Sequence, residues 1–193
     1  SEAIDKNNVG TERMVKEHYN PIILKLRLLE KPVVCAVNGV AAGAGANIAF
    51  ACDVVIAATS VAFIQAFSKI GLIPDSGGTF FLPRLIGFGK ASALMMLGDK
   101  VSAADAEKMG MIYKVVDDAT LYIEAMAVAR TLSEMPTKGI AYTKQLLNQS
   151  MSNSLVQQLN AEAKAQVAAS QTNDYQEGVN AFLEKRKAVF RGE

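Results

Sequence analysis

Two short apolar runs, "KPVVCAVNG" at 31–39 and "DVVIAAT" at 53–59, enclose the Ala- and Gly-rich stretch "VAAGAGANIAFAC" at 40–52. "VVCAV" is rich in β-branched residues and apolar on both faces, as a strand inside a parallel sheet requires. A helix is expected over about 43–52, before the second buried run. The smallest side chains thus stand where a buried strand hands over to a helix. Two readings fit that placement. Strand and helix backbones pack closely there, or a ligand oxygen reaches the main chain, where the first helical turn leaves N–H groups free and the dipole favours negative charge.

Around this centre the chain reads as an α/β body followed by a helical tail. Residues 1–12 are polar and aperiodic, a loop or disordered segment. Residues 13–30 carry Met14, Tyr19, Ile22, Ile23, Leu26 and Leu29 at helical spacing, with Pro21 a kink and Pro32 a stop. "VAFIQ" at 61–65 and "MIYKVV" at 111–116 are strand candidates. "GLIPDSGGTFFLPRLIG" at 71–87 is a structured loop running into a helix, and 89–97 is helical. "SAADAEKMG" is a short helix with Ser102 as N-cap and Gly110 in the C′ position. Beyond Asp118, helices are expected over 119–134, 137–151, 153–171 and 174–188. The division is an α/β core of residues 1–118 and a helical region of residues 119–193.

Composition excludes several classes of function. Net charge is +1, with 20 basic against 19 acidic residues, so neither a nucleic-acid nor a membrane surface is indicated. Cys35 and Cys52 stand in apolar contexts and read as buried thiols of a reduced compartment. No apolar run reaches the ~20 residues of a membrane span, which leaves the cytoplasm as the expected location. His18 is the single histidine, which argues against a His-based metal site.

The local motifs leave alternatives open. "GVAAGAG" lacks the Lys-Ser/Thr of a P-loop, and "VVIAATS" lacks the acidic strand end of a dinucleotide fold. Asp75 either caps the helix beginning near Thr79 or serves as a general acid/base, its pKa raised by Leu72, Ile73, Phe80 and Phe81. Ser76 is not in G-x-S-x-G and has no plausible His partner, so a triad has little support. "FLEKRKAVF" at 182–190 is a basic helix end, a solvated last turn on its local reading.

Taken in order, "KPVVCAVNGVAAGAGANIAFACDVVIAA", "FSKIGLIPDSGGTFFLPRLIG", "SAADAEKMGMIYKVV" and "DYQEGVNAFLEKRKAVF" resemble the crotonase superfamily, the enoyl-CoA hydratases and isomerases. The similarity runs from about residue 19 to the end. It implies a crotonase-type spiral of ββα units and a C-terminal helical trimerisation region, giving a homotrimer or dimer of trimers. It implies acyl-CoA substrates, with coenzyme A entering as part of the substrate and no metal, flavin or nicotinamide. The shared chemistry is stabilisation of a thioester enolate by two backbone N–H groups. One of them matches Ala44, flanked by Gly43 and Gly45.

Hydratases of the family place glutamates at the positions matched here by Asn47 and Phe67, and neither of these accepts a proton at neutral pH. Asp75 matches the acid/base of several isomerases, with Asn47 in a position to orient substrate or a water. The pattern joining "VNGVAAGAGAN", "AFSKIGLIPDSGGT" and "GMIYKVVDD" is similar to the branch that converts ring-1,2-epoxyphenylacetyl-CoA to oxepin-CoA. A Δ3,Δ2-enoyl-CoA isomerase would use the same residues. In the family's last helix, the matches are Phe182 for adenine contact and Lys185 for a CoA phosphate. The family normally begins with further strands and a loop of the type A-x-S-x-G-x-D-L that carries the other oxyanion donor. Residues 1–18 contain no such motif, so a third expectation is a non-catalytic crotonase-fold fragment or assembly subunit.

Overall fold

A computed structural model describes residues 10–193, so the expectation for the polar N-terminus lies outside the described residues up to residue 9. The chain divides into two compact units. The first holds the described residues up to Leu26 together with Val33–Ala125; the second holds Arg27–Pro32 together with Met126–Glu193.

In the first unit, α1 (Thr11–Arg13) runs through a π-helical stretch, Met14–Tyr19, into α2 (Asn20–Leu28). The widened turn lies just before Pro21, whose ring would crowd the Glu17 carbonyl in a regular helix. The N–H of Asn20 accordingly bonds to Val15 O, five residues back.

Two three-stranded sheets follow. One has the order β1 (Val34–Val37), β3 (Val54–Ala58), β6 (Lys114–Val116), all parallel. The other has β2 (Ala41–Ala42), β4 (Ala62–Ile64), β5 (Lys100–Ser102), with β2 and β4 parallel and β5 antiparallel. After β1 the chain crosses over residues 38–40 to β2 and enters α3 (Ala44–Phe50); after β3 it crosses over 59–61 to β4 and then reaches α4 (Gly78–Ile86) and α5 (Phe88–Leu97). Strand, strand, helix is thus traced twice, the repeat unit expected of the spiral.

Small side chains make this tight winding possible: Ala46, Ala51, Ala57, Ala58, Ala62, Ala103 and Ala106 are all essentially inaccessible. Ile56, Phe63 and Leu82 fill the space between them, with the Phe50 and Phe63 rings 5.5 Å apart. β3, not β1, is the central strand: four of its five residues are buried, while β1 is half-buried with Ala36 exposed. Cys35 and Cys52 are likewise half-buried rather than buried, and both are thiols, Cys52 Sγ donating to Ile48 O at 3.4 Å. Two strand boundaries also differ from expectation. β5 was not visible in the pattern, and β6 starts at Lys114 because residues 111–113 form the turn that follows α6 (Ala103–Lys108). Ser102 caps α6 as expected, accepting from Asp105 N at 3.1 Å, and Gly110 takes up the left-handed C′ position.

The second unit comprises the residues of α7 (Leu121–Ser133) from Met126 onward, α8 (Thr137–Ser150), α9 (Leu155–Ser170) and α10 (Asn173–Leu183). α10 stops at Leu183 instead of continuing to 188. Lys185 adopts φ +56°, and Arg186 N bonds back to Ala181 O, the closing pattern of a Schellman motif. No helix among the described residues is long and apolar enough to cross a membrane.

Candidate active site

The Ala/Gly turn is built around Gly43. Its φ of +53° and ψ of −123° lie where a Cβ is strongly disfavoured. Its N–H bonds to Ile64 O at 2.9 Å, so the turn is anchored to β4 just before α3 begins. Ala44 opens that helix, and its N–H belongs to the first turn, which has no intrahelical acceptors.

The two glycines beside it serve differently. A Cβ on Gly43 would touch the Phe67 ring at 3.4 Å, whereas one on Gly45 would meet nothing within 4 Å. Close packing therefore accounts for part of this stretch, but not for Gly45, which is exposed. Phe67 lies in the 3-10 turn Ala66–Ile70, only 7% exposed, and forms an apolar wall against Gly43.

Asp75 is half-buried in the loop before α4. It does not cap that helix: the N-cap position is Gly77, without a side-chain bond. Its Oδ1 accepts from Ser76 Oγ at 2.9 Å, and Oδ2 has no partner among the described residues. Ser76 is 2% exposed and held at φ +50°, a strained conformation for a residue with a side chain. Of the four apolar residues expected around Asp75, Leu72, Ile73 and Phe80 are exposed, Ile73 by 81%, and Phe81 is buried.

Asn47 is not on the exposed side of α3. It is wholly buried, donating Nδ2 to the Asp75 main-chain oxygen at 2.9 Å and accepting from Gln65 Nε2 at 2.8 Å. Gln65 was not singled out by sequence. Its one signal is an amide directly after the buried strand residues "AFI". One region of the first unit thus gathers Gly43, Phe67, Asn47, Gln65 and Asp75.

Phe182 and Lys185 belong to the second unit. Phe182 is 82% exposed and lines an open, largely apolar recess of about 430 Å³ with Tyr175, Val179 and Phe190. The basic run around it is exposed, as expected, and two of its cations are also ion-paired. Arg186 pairs with Glu177 and Glu184, each at 2.6 Å, and Lys187 with Glu134 at 2.7 Å. Lys185, by contrast, has no ion pair among the described residues.

Sequence and fold match known proteins. The family model described as enoyl-CoA hydratase/isomerase covers residues 2–193. The chain is 51% identical over 178 residues to the 1,2-epoxyphenylacetyl-CoA isomerase of Escherichia coli K12, spanning 92% of this chain and 68% of that protein. It is 44% identical to a Rhodobacter capsulatus protein named "Probable enoyl-CoA hydratase", over 95% of this chain and 72% of the relative. The crystal structure of an enoyl-CoA hydratase from Polaromonas sp. JS666 superposes with a TM-score of 0.91 at 35% identity, covering 96% of this chain and 72% of that one. The chain belongs to the enoyl-CoA hydratase/isomerase family, whose enzymes act on acyl-CoA substrates.

Proposed function

We propose that the chain is an acyl-CoA isomerase in which Asp75 carries the proton and the N–H of Ala44 holds the enolate oxygen of the thioester. The observation that carries this reading is the fate of the two positions where family hydratases place glutamates. Asn47 is sealed in internal hydrogen bonds and Phe67 packs on Gly43, so neither supplies a base to activate water. Asp75 is the carboxylate that remains beside them, with Oδ2 free to accept a proton from the carbon next to the thioester and return it further along the acyl chain. A backbone donor aimed at the developing oxyanion is a large share of such catalysis, typically ~10²–10³ in rate for each donor.

The epoxyphenylacetyl-CoA isomerase at 51% identity supports ring-1,2-epoxyphenylacetyl-CoA, isomerised to oxepin-CoA, as the substrate. Shifting of Δ3-enoyl-CoA double bonds would use the same groups. Phe182 and the unpaired Lys185 are assigned to the adenine and phosphate of CoA, and residues 119–193 to assembly into trimers, working in the cytoplasm without a further cofactor.

The decisive comparison is wild type against Asp75→Asn, with 3-hexenoyl-CoA, epoxyphenylacetyl-CoA and crotonyl-CoA. Isomerisation by the wild type and a fall of roughly 10²–10⁴ in the variant are expected. An undiminished Asp75→Asn, or substantial hydration of crotonyl-CoA by the wild type, would defeat the proposal.

A further inference from the structure

Gln65 follows β4, is 5% exposed, and hydrogen-bonds to the buried Asn47. Its hydrogen bonding is directional. The carbonyl of Asp75 can only accept, so Asn47 must present Nδ2 to it. Asn47 Oδ1 then faces the other way, and Gln65 must present Nε2 to that oxygen. This leaves Gln65 Oε1 without a donor, the one buried side-chain polar atom so placed among the described residues. Buried acceptors without donors are rare in native proteins, because desolvation is not repaid. An apolar side chain of the same size would avoid that cost, so what the amide does for Asn47 must outweigh it.

The far end of the relay is Asp75. Its carbonyl accepts Asn47 Nδ2 at 2.9 Å and Gly78 N at 2.8 Å, while Ser76 holds Oδ1 from the side. A Cβ on Gly78 would lie 2.4 Å from Asn47 Nδ2, so the close approach of α4 to α3 depends on that glycine.

We propose that Gln65 is a positioning residue for Asp75: by fixing the Asn47 amide it anchors the Asp75 carbonyl and so aims Oδ2 at the reacting carbon. Asn47 on this account is a strut and not a ligand for substrate or water. The inference rests on Asp75 being the proton carrier, and its test separates the two.

Wild type, Gln65→Met, Asp75→Asn and the double variant are assayed with 3-hexenoyl-CoA, with folding followed by circular dichroism. Gln65→Met should lower kcat about ten- to a hundred-fold, as small misplacements of a catalytic group do, with KM nearly unchanged. In the Asp75→Asn background the same substitution should cost nothing more. Wild-type kcat in Gln65→Met, or an equal fall in both backgrounds, overturns the positioning role. An undiminished Asp75→Asn fails the reading of Asp75 itself, whatever Gln65 does.

If Gln65→Met does not fold, Gly78→Ala sets a Cβ against the same Asn47 amide and carries the same expectations. If neither folds, the wild-type Asn47 side-chain amide resonance decides. Hexanoyl-CoA, which has no double bond to move, should leave it in place; a large direct shift marks Asn47 as a substrate ligand and overturns the proposal.

Discussion

Gly43 and Gly45 stand two residues apart and should respond oppositely to the same substitution. At Gly43, alanine has room beside Phe67, but φ +53° and ψ −123° suit no L-residue. Gly43→Ala should therefore lower stability by about 1–3 kcal/mol, read as a reduced urea midpoint with an unchanged slope. Gly45 lies in the first turn of α3, faces open space and has no positive φ. Alanine there should raise stability, by up to ~1 kcal/mol on helix propensity. If that opening admits the thioester oxygen, Gly45→Ala should nonetheless slow isomerisation, because the added methyl takes up part of that space. A variant that is both more stable and fully active would show that the space at Gly45 does not serve the ligand.

At the scale of the element, α10 illustrates how an end is set by contacts rather than by propensity. "FLEKRKAVF" is a reasonable helical sequence, yet the helix closes at Leu183 and the following residues fold back onto it. Glu177 receives both the Arg186 guanidinium, at 2.6 and 2.9 Å, and the N–H of Val189 at 2.8 Å. Asp174 receives the N–H groups of Arg191 and Gly192. The Arg186 bond, reinforced by Val189 N–H, holds the Glu177 carboxyl down at about 2 against the ordinary 4.5. The folded value lies below the unfolded one, so this contribution to stability is complete above about pH 4.5 and is lost as pH falls toward 2. A carboxyl-carbon titration by NMR should place the Glu177 midpoint near 2, and Arg186→Gln should move it upward. A wild-type midpoint near 4.5 would mean that the tail does not lie on α10.

For the molecule as a whole, the readable part of the fold was what repeats along the chain. Apolar runs, the small-residue turn and the capped helix at 102–110 are local patterns, and they placed β1, β3, α3 and α6. The candidacy of Ala44 and Asp75 came from motifs at fixed spacing, through the resemblance they carry. Gln65 and the burial of Asn47 were not legible, because their partners lie 18 and 28 residues away and no periodicity encodes that pairing. The same limit hid the membership of residues 27–32, which continue α2 in sequence but belong with the helical second unit. What joins them to it is a set of hydrogen bonds to α8. Arg27 Nε donates to Asn148 Oδ1 at 3.0 Å, Asn148 Nδ2 returns a bond to Arg27 O at 2.9 Å, and the buried Lys144 donates Nζ to Lys31 O at 3.0 Å. These pairs are 121 and 113 residues apart, so the loop they close is long and its entropic cost is met only once α8 has formed. Asn148→Ala removes both ends of the Arg27 pair and should cost roughly 1.5–3 kcal/mol, the range for hydrogen bonds to charged groups. Because the loss is confined to one seam, amide exchange should rise at residues 27–32 and along α8 and remain unchanged in β1, β3 and β6. Uniform loss of protection throughout the chain would show instead that the two units unfold as one, and that the seam is not a separable element of the structure.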